Sequence, residues 1–326
     1  MPALITHDFF GRDVFRLLQE NSLLPYNGDA PLQSVYELFL LGNQGPDPFL
    51  YTQLTPSYLA GKQFGGLLHH EKVEEIFEAL RRIAQNLSGP DQDHLYGYLL
   101  GFICHYTLDS IAHPFIYSQE YAICDAGVKG LDRRDHFQVH GQIEADLDMM
   151  ILKRKMGVGL REYNYTRHVL KAEDKAIALL NSAYEALAHE VYAVNLPEDA
   201  FIKGVRDMRL TIRILYSPHG IKRSLFGRVE RLFYRHSHAQ AMSPRHDVGE
   251  TCDFDNHELA QWVDPFKGTI HYLSFLDLYE LAKLKAVENI QALVEGRPVI
   301  EITHGLNYEG SSVLNESWKD PNKWRL

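Results

Sequence analysis

The stretch Tyr98–Pro114, with the sequence YLLGFICHYTLDSIAHP, constrains the fold of this chain more than any other. It carries His105, Asp109 and His113 at intervals of four residues in an otherwise apolar segment. Four residues along an α-helix advance by about 400°, so these side chains would lie along one stripe. Ionisable groups inside such a helix are costly to bury unless each is paired or bound to a metal. We therefore predict a buried helix that carries metal ligands.

A second segment, Asp132–Met156, repeats this spacing with His136, His140, Glu144 and Asp148. Two donors at positions i and i+4 lie on one helix face, as they do in the metal sites of helical bundles. For His140 with Glu144, an ion pair on a solvated face is the alternative. For His105 with Asp109, the alternative is a buried hydrogen-bonded pair. The sequence leaves both alternatives open, and we assign no ligand role to His136 or Asp148.

The rest of the chain predicts an all-α protein. Apolar residues at helical spacing predict further helices near residues 13–20, 31–41, 71–87, 165–194, 197–216, 221–236, 256–263 and 274–295. Pro114 is expected to end the central helix, and Tyr117–Leu131 to form an irregular loop. We predict a single multi-helix domain over residues 1–298, with the metal cluster between core helices. A polar C-terminal tail over residues 299–326 has the composition of a loosely held segment.

The composition and charge of the chain exclude several classes of function. The chain has 326 residues, 17 histidines and a net charge of −10, which argues against nucleic-acid binding and against electrostatic docking on anionic lipid. Its three cysteines form no CxxC pair, so a thiolate zinc site is not indicated. The N-terminal residues lack the uninterrupted apolar run of a secretory signal, and no segment is apolar enough to span a membrane. These features predict a cytoplasmic protein.

One basic stretch, RSLFGRVERLFYRHSH at residues 223–238, interleaves arginines with leucine and phenylalanine. An amphipathic segment of this kind can contact a membrane surface, or it can pack on the protein with a solvated polar face. We predict the packed helix, so that any membrane contact is at most peripheral.

Residues elsewhere in the chain could complete the metal cluster. Candidates are His7, Asp47 between two prolines, and either His69 or His70. Each has a structural alternative: His7 as a solvated or capping residue, Asp47 as a turn aspartate, and the histidine pair as residues of a helix N-terminal turn. Nitrogen and oxygen donors of this kind suit Zn²⁺, and a carboxylate can bridge two ions.

Four motifs resemble the bacterial zinc-dependent phospholipase C family, and more particularly its signal-less intracellular branch. They are GNQGPDPF, GGLLHHEKVEEIF, HYTLDSIAHPFIY and HGQIE, and the resemblance is strongest over residues 1–150. It implies an all-helical domain that holds two or three zinc ions. It also implies hydrolysis of phosphodiesters in phospholipid head groups, by attack of a metal-activated water on the phosphate.

The resemblance also implies roles for individual residues. One zinc would be held by Asp47, His69, His105 and Asp109, a second by His113, His140 and Glu144, and a third by His7 with Asp109 bridging. His70 is the alternative to His69, and Asp47 is the candidate general base. The chain departs from the secreted members in two ways: it begins Met-Pro-Ala where they use a processed N-terminal tryptophan, and Asp109 and His113 are closer in sequence.

A phosphodiester or phospholipid head group is therefore the expected substrate. Phe49, Tyr51 and Phe64 lie near metal residues in the sequence and are candidates to line a head-group pocket. Two alternatives use the same cluster: a nuclease-like or lipid-anchor phosphodiesterase, and a helical metal-binding or sensing protein without turnover. Structural metal sites are closed, whereas catalytic ones keep an open coordination position. An open position would therefore distinguish an enzyme from the second alternative.

Overall fold

The computed structural model of the chain describes residues 4–52, 58–245 and 253–312. The α-helices of these residues are α1 (Leu4–Glu20), α2 (Leu32–Gly42), α3 (Tyr58–His70), α4 (Val73–Gln85), α5 (Gly89–Asp125), α6 (His136–Met156), α7 (Asp174–Tyr192), α8 (Ala200–Leu215), α9 (Ile221–Glu230), α10 (His238–Met242), α11 (Phe275–Val294) and α12 (Ile300–Thr303). The strands of the described residues are β1 (Trp262–Val263) and β2 (Ile270–His271), and they pair antiparallel. The all-α prediction is confirmed. Among the helices described, none is long and apolar enough to cross a membrane.

The chain divides into two compact units, each assembled from three segments. Unit 1 contains the described residues of Met1–Phe9, Ala112–Val169 and Leu210–Leu281, and unit 2 those of Phe10–Ile111, Leu170–Arg209 and Ala282–Leu326. Position 298 is the predicted boundary between the helical domain and the tail. Unit 2 contains described residues on both sides of this boundary. The last part of the predicted tail, residues 313–326, lies outside the described residues.

In unit 2, helices α2 and α5 cross with their backbones in contact. A Cβ atom added at Gly42 would overlap the carbonyl oxygen of Tyr98, and one added at Gly101 would overlap that of Phe39. Only glycine permits this approach, because any larger side chain would force the two helices apart. The crossing holds the segment that follows α2, which contains Asn43 and Asp47, against the middle of α5.

Helix α5 does not end at Pro114, and this prediction from the sequence is wrong. The helix continues through the proline to Asp125, so much of the predicted loop Tyr117–Leu131 is helical. Proline removes one intrahelical hydrogen bond and disfavours helix at the residue before it. In unit 1 this cost is offset by burial, since Phe115 is 0% exposed and Ile116 4% exposed.

Unit 1 contains a short hairpin where the sequence predicts a helix over residues 256–263. Trp262 pairs with His271 in the hairpin, and the Trp262 ring lies 5.4 Å from that of Phe115. The indole Nε1 donates to the carbonyl oxygen of Leu273 at 2.9 Å. Trp262 is therefore anchored at both its apolar body and its polar tip, which favours the extended backbone over a helix here.

Candidate metal centre

His105 and Asp109 lie one turn apart on α5 in unit 2, and both side chains are buried. Nε2 of His105 lies 3.2 Å from Oδ2 of Asp109. Nδ1 of His105 donates to the carbonyl oxygen of Asn43 at 3.0 Å, since a carbonyl can only accept. In a neutral imidazole Nε2 then presents its lone pair toward Asp109, which is the arrangement that a metal ligand requires.

Asp47 and His69 join this group from two elements that pack against each other. Asp47 begins the 3-10 turn Asp47–Tyr51, and His69 lies in the last turn of α3. Nε2 of His69 lies 3.1 Å from Oδ1 of Asp47, while its Nδ1 donates to the carbonyl oxygen of Gly65 at 2.7 Å. Donor atoms of Asp47, His69 and His105 all lie within 4.8 Å of one another. The structure thus brings together three residues that are far apart in sequence.

His70 faces a different partner. Its Nδ1 lies 3.8 Å from Oε1 of Glu309, in the segment that follows α12. Of the two adjacent histidines, His69 is therefore the one that the structure brings to Asp47, and it is the one that the family resemblance implies.

Tyr308, which sequence reasoning did not select, packs against both histidines of this group. Its ring centroid lies 5.2 Å from that of His69 and 5.6 Å from that of His105, and the residue is 1% exposed. The Tyr308 amide also donates to the His69 carbonyl oxygen at 3.3 Å. This part of the segment described as a polar tail is therefore buried beside the candidate ligands.

The charge state of Asp47 suits metal ligation. Burial acts to raise the pKa of this carboxyl, but when the imidazoles are protonated in the absence of metal, the hydrogen bond with His69 and the attraction of His105 together hold the pKa below its ordinary value. Asp47 is therefore ionised at neutral pH in this site.

A second group of donors lies in unit 1, on the last part of α5 and on α6. Oε1 of Glu144 lies 3.4 Å from Nε2 of His113 and 3.3 Å from Nε2 of His140. Glu144 is 2% exposed, so its carboxylate is held among the two imidazoles and away from bulk water. The four-residue spacing of His140 and Glu144 on α6 produces this contact. The surface ion pair considered as an alternative does not fit this burial.

Glu120 contacts His140 of the second group, and no pattern in the sequence pointed to it. It is 1% exposed on α5, and its Oε2 accepts a hydrogen bond from Nδ1 of His140 at 2.9 Å. Carboxylates in this position fix the tautomer of a metal-binding histidine and raise its basicity. The helical continuation beyond Pro114, missed from the sequence, is what places Glu120 here.

Electrostatic coupling within the second group shifts both partners toward their charged forms. Burial acts to raise the pKa of Glu144, yet the charge of His140 and the hydrogen bond from His113 hold that pKa well below its ordinary value. Burial acts to lower the pKa of His140, and the opposing charge of Glu144 raises it above its ordinary value. A divalent cation could replace the imidazole protons as the positive charge that Glu144 requires.

An aromatic side chain borders the second group. The Tyr117 ring centroid lies 6.0 Å from that of His113 and 5.1 Å from that of His140. Phe266, in the turn between β1 and β2, meets Tyr117 edge-on at 5.4 Å. These contacts place part of the hairpin next to Tyr117, which itself contacts His113 and His140.

His7 lies on α1 in unit 1 and is 4% exposed. The N-terminus of the same helix is capped by Asp148, whose carboxylate accepts from the amides of Ile5 at 3.1 Å and Thr6 at 2.7 Å. The predicted third site, in which Asp109 joins His7, involves residues of both units and stays a prediction.

The three aromatic residues predicted to line a head-group pocket are buried in unit 2. Phe49 is 0%, Phe64 2% and Tyr51 4% exposed. Phe49 packs edge-on against Phe64 at 5.0 Å and against Tyr184 at 4.9 Å. These contacts favour a role in core packing, and a direct role in substrate binding stays an untested prediction.

The donor sets of both groups fit zinc. A zinc ion with bonds of about 2.0–2.1 Å to nitrogen and oxygen keeps tetrahedral ligand atoms about 3.3 Å apart. The donor pairs described above are separated by 3.1–3.4 Å. Each group combines two imidazoles with at least one carboxylate, which is a common donor set for catalytic zinc.

Comparisons with known proteins agree with this geometry. The model of a family described as zinc-dependent phospholipase C matches residues 6–194, more than half of the chain. The searches of curated proteins and of solved structures found no match. The match spans the described elements that carry both groups of donors, from α1 through α6. This chain belongs to the zinc-dependent phospholipase C family.

Proposed function

We propose that this protein hydrolyses a phosphodiester bond of a phospholipid head group, with zinc held by the Asp47–His69–His105–Asp109 group and by the His113–His140–Glu144 group. The observation that carries the proposal is the orientation of His69, His105 and His140. In each, Nδ1 is occupied by a hydrogen-bond acceptor and Nε2 faces a carboxylate oxygen at 3.1–3.3 Å. Family membership supports the reaction class.

Zinc bound in these groups would lower the pKa of a water molecule and neutralise charge on the phosphate oxygens. Asp47 would accept the proton of the attacking water, because its carboxylate lies beside His69 in the metal-binding group and is ionised at neutral pH. Glu120 and the carbonyl oxygens of Asn43 and Gly65 would hold the imidazoles in the productive tautomer. We also propose a cytoplasmic location, and this part of the proposal rests on the sequence alone.

Metal removal tests the proposal directly. The purified protein would be treated with chelator, then supplied with zinc, while hydrolysis of nitrophenyl-phosphorylcholine is followed. We expect turnover to be lost and then restored, with metal content measured in parallel. Parallel assays on phospholipid vesicles and short oligonucleotides define the substrate class. Absence of zinc-dependent turnover on both the phosphorylcholine ester and the vesicles would overturn the proposal. Turnover of oligonucleotides alone would favour the nuclease-like alternative, and turnover of none of the three a metal-binding protein without turnover.

A matched pair of variants tests the role of Asp47. Asp47→Asn should abolish most turnover while the protein remains folded, because the amide cannot accept a proton. Asp93→Asn is the control, since Asp93 is also buried in unit 2 but accepts from the amides of Asp29 and Ala30. The control should lower thermal stability and leave turnover per folded molecule unchanged. Equal loss of turnover in both variants would contradict a catalytic role for Asp47.

A further inference from the structure

Helix α9 in unit 1 carries three of its four large apolar residues on the outside, and Phe226 is half-buried. Ile221, Leu225 and Val229 are 73%, 56% and 48% exposed, and their spacing of four places them along one stripe. The sequence predicts the opposite orientation, a packed helix with a solvated polar face. The structure corrects that prediction.

The inward face of α9 makes polar contacts and a close approach at a glycine. Gly227 is buried, and a Cβ atom added to it would meet the Gln240 side chain at 2.5 Å. Arg223 donates to Oε1 of Gln142 at 2.6 Å and to the carbonyl oxygen of Ser243 at 3.0 Å. These contacts fix the rotation of the helix, so the apolar stripe cannot turn inward.

The turn after α9 extends the apolar surface. Leu232, Phe233 and Tyr234 are 77%, 78% and 58% exposed. The turn is ordered, because the amides of Phe233 and Tyr234 donate to the carbonyl oxygen of Glu230 at 2.9 and 2.8 Å. We call the six exposed apolar residues of this region, from Ile221 to Tyr234, the α9 surface. Soluble proteins rarely expose so many large apolar side chains together unless the surface binds a partner.

The charges around the α9 surface indicate the nature of that partner. Residues 221–236 contain five Lys or Arg and one Glu in a chain whose net charge is −10. Arg223 faces inward and Arg235 pairs with Asp132. The basic charge of this surface is therefore supplied by Lys222, Arg228 and Arg231. Lys222 and Arg228 flank the apolar stripe on the helix, and both are exposed. Long basic side chains beside exposed leucine and phenylalanine are typical of helices that lie in the interface of an anionic bilayer. A second copy of the chain docked symmetrically would instead bring like charges together.

We propose that the α9 surface docks this protein on an anionic phospholipid bilayer, with Leu232 and Phe233 inserted at the boundary of head groups and acyl chains. Lys222 and Arg228 would contact lipid phosphates. The choice of a lipid partner rests on the proposed function, but binding can be measured without turnover. The negative net charge of the whole chain opposes long-range attraction, so the local basic charge would act only within about 10 Å of the surface.

Co-sedimentation with vesicles tests the proposal. We expect the intact chain to bind an equimolar mixture of phosphatidylcholine and phosphatidylglycerol, and to bind pure phosphatidylcholine at least about tenfold more weakly. The double variant Leu232→Ser/Phe233→Ser should reduce partition onto the mixed vesicles by about tenfold or more. Leu284→Ser, on α11 and 64% exposed, is the control and should bind like the unaltered chain.

Turnover of soluble nitrophenyl-phosphorylcholine separates this inference from the proposed function. The double variant should retain that turnover while losing vesicle binding. Equal vesicle binding by the double variant and the control would overturn the membrane proposal, whether or not the protein is an enzyme. A dimer in solution that the double variant dissociates would also overturn it, in favour of a second copy of the chain.

Discussion

Nδ1 of His140 donates to Oε2 of Glu120 at 2.9 Å, and Nε2 of the same ring lies 3.3 Å from Oε1 of Glu144. One imidazole thus joins two buried carboxylates. The first carboxylate accepts the Nδ1 proton and so orients the ring, while the second lies on the side to which Nε2 points. This division separates residues that would hold a metal from residues that would position its ligands.

The first prediction follows from this relationship. Glu120→Gln keeps the size of the side chain but removes its negative charge, so His140 should bind metal less well. We expect zinc affinity to fall by about 10–100-fold, measured by competition with a chromophoric chelator. Asp125→Asn on the same helix is the control, because Asp125 is about half exposed and pairs with Arg133. Unchanged affinity in Glu120→Gln would contradict the orienting role.

The sequence predicted the parts of this arrangement that depend on local spacing. The intervals of four on α5 and α6 do bring His105 to Asp109, and His140 to Glu144. The contact between Asp47 and His69 was expected only from the family resemblance, since a gap of 22 residues has no geometric meaning before the fold is known.

The sequence could not predict contacts that depend on tertiary packing. Glu120 faces His140 only because α5 continues past Pro114, and that continuation depends on burial of Phe115 rather than on local propensity. The orientation of α9 was misjudged for a related reason. Apolar periodicity predicts a helix well, but it assumes that the apolar face is the buried one.

A second prediction concerns Tyr308, which packs against His69 and His105 in unit 2. Tyr308→Ala removes a buried ring and should lower the free energy of unfolding by about 3–5 kcal/mol. It should also weaken zinc binding, because both imidazoles lose a neighbour that restricts their orientation. Tyr308→Phe keeps the ring and should retain zinc affinity. Denaturant unfolding and chelator competition provide the two measurements, and a loss of affinity as large in Tyr308→Phe would assign the effect to the hydroxyl instead.

A third prediction concerns pH and the carboxyl of Asp148, which caps α1 in unit 1. Burial raises the pKa of Asp148 to about 7, against the hydrogen bonds from Thr6 and Ile5, which lower it. The folded protein therefore holds a proton that the unfolded chain releases near pH 4, so this group's contribution to stability falls as pH rises from about 4 to about 7. The slope is at most about 1.4 kcal/mol per pH unit.

Asp148→Asn removes this titration. Subtracting the unfolding free energies of the variant from those of the unaltered chain, measured by denaturant from pH 4 to pH 8, isolates the contribution of Asp148. We expect the difference to change across the interval between about pH 4 and 7 and to level off above it. A difference independent of pH over this range would show that Asp148 is ionised throughout.

The last prediction concerns Gly45, which allows the His105 ring to lie against the backbone. A Cβ atom at this position would overlap the imidazole, and the residue has a positive φ of +53°. Gly45→Ala should therefore displace His105 and lower both stability and zinc affinity. Gly89→Ala is the matched control, since its φ is +61° and no atom lies within 4 Å of the added Cβ. In the control, only the strain of the left-handed backbone should lower the free energy of unfolding, by about 1–2 kcal/mol, and zinc binding should be normal. If both variants lose stability equally and keep their zinc, contact between Gly45 and the ring does not position His105.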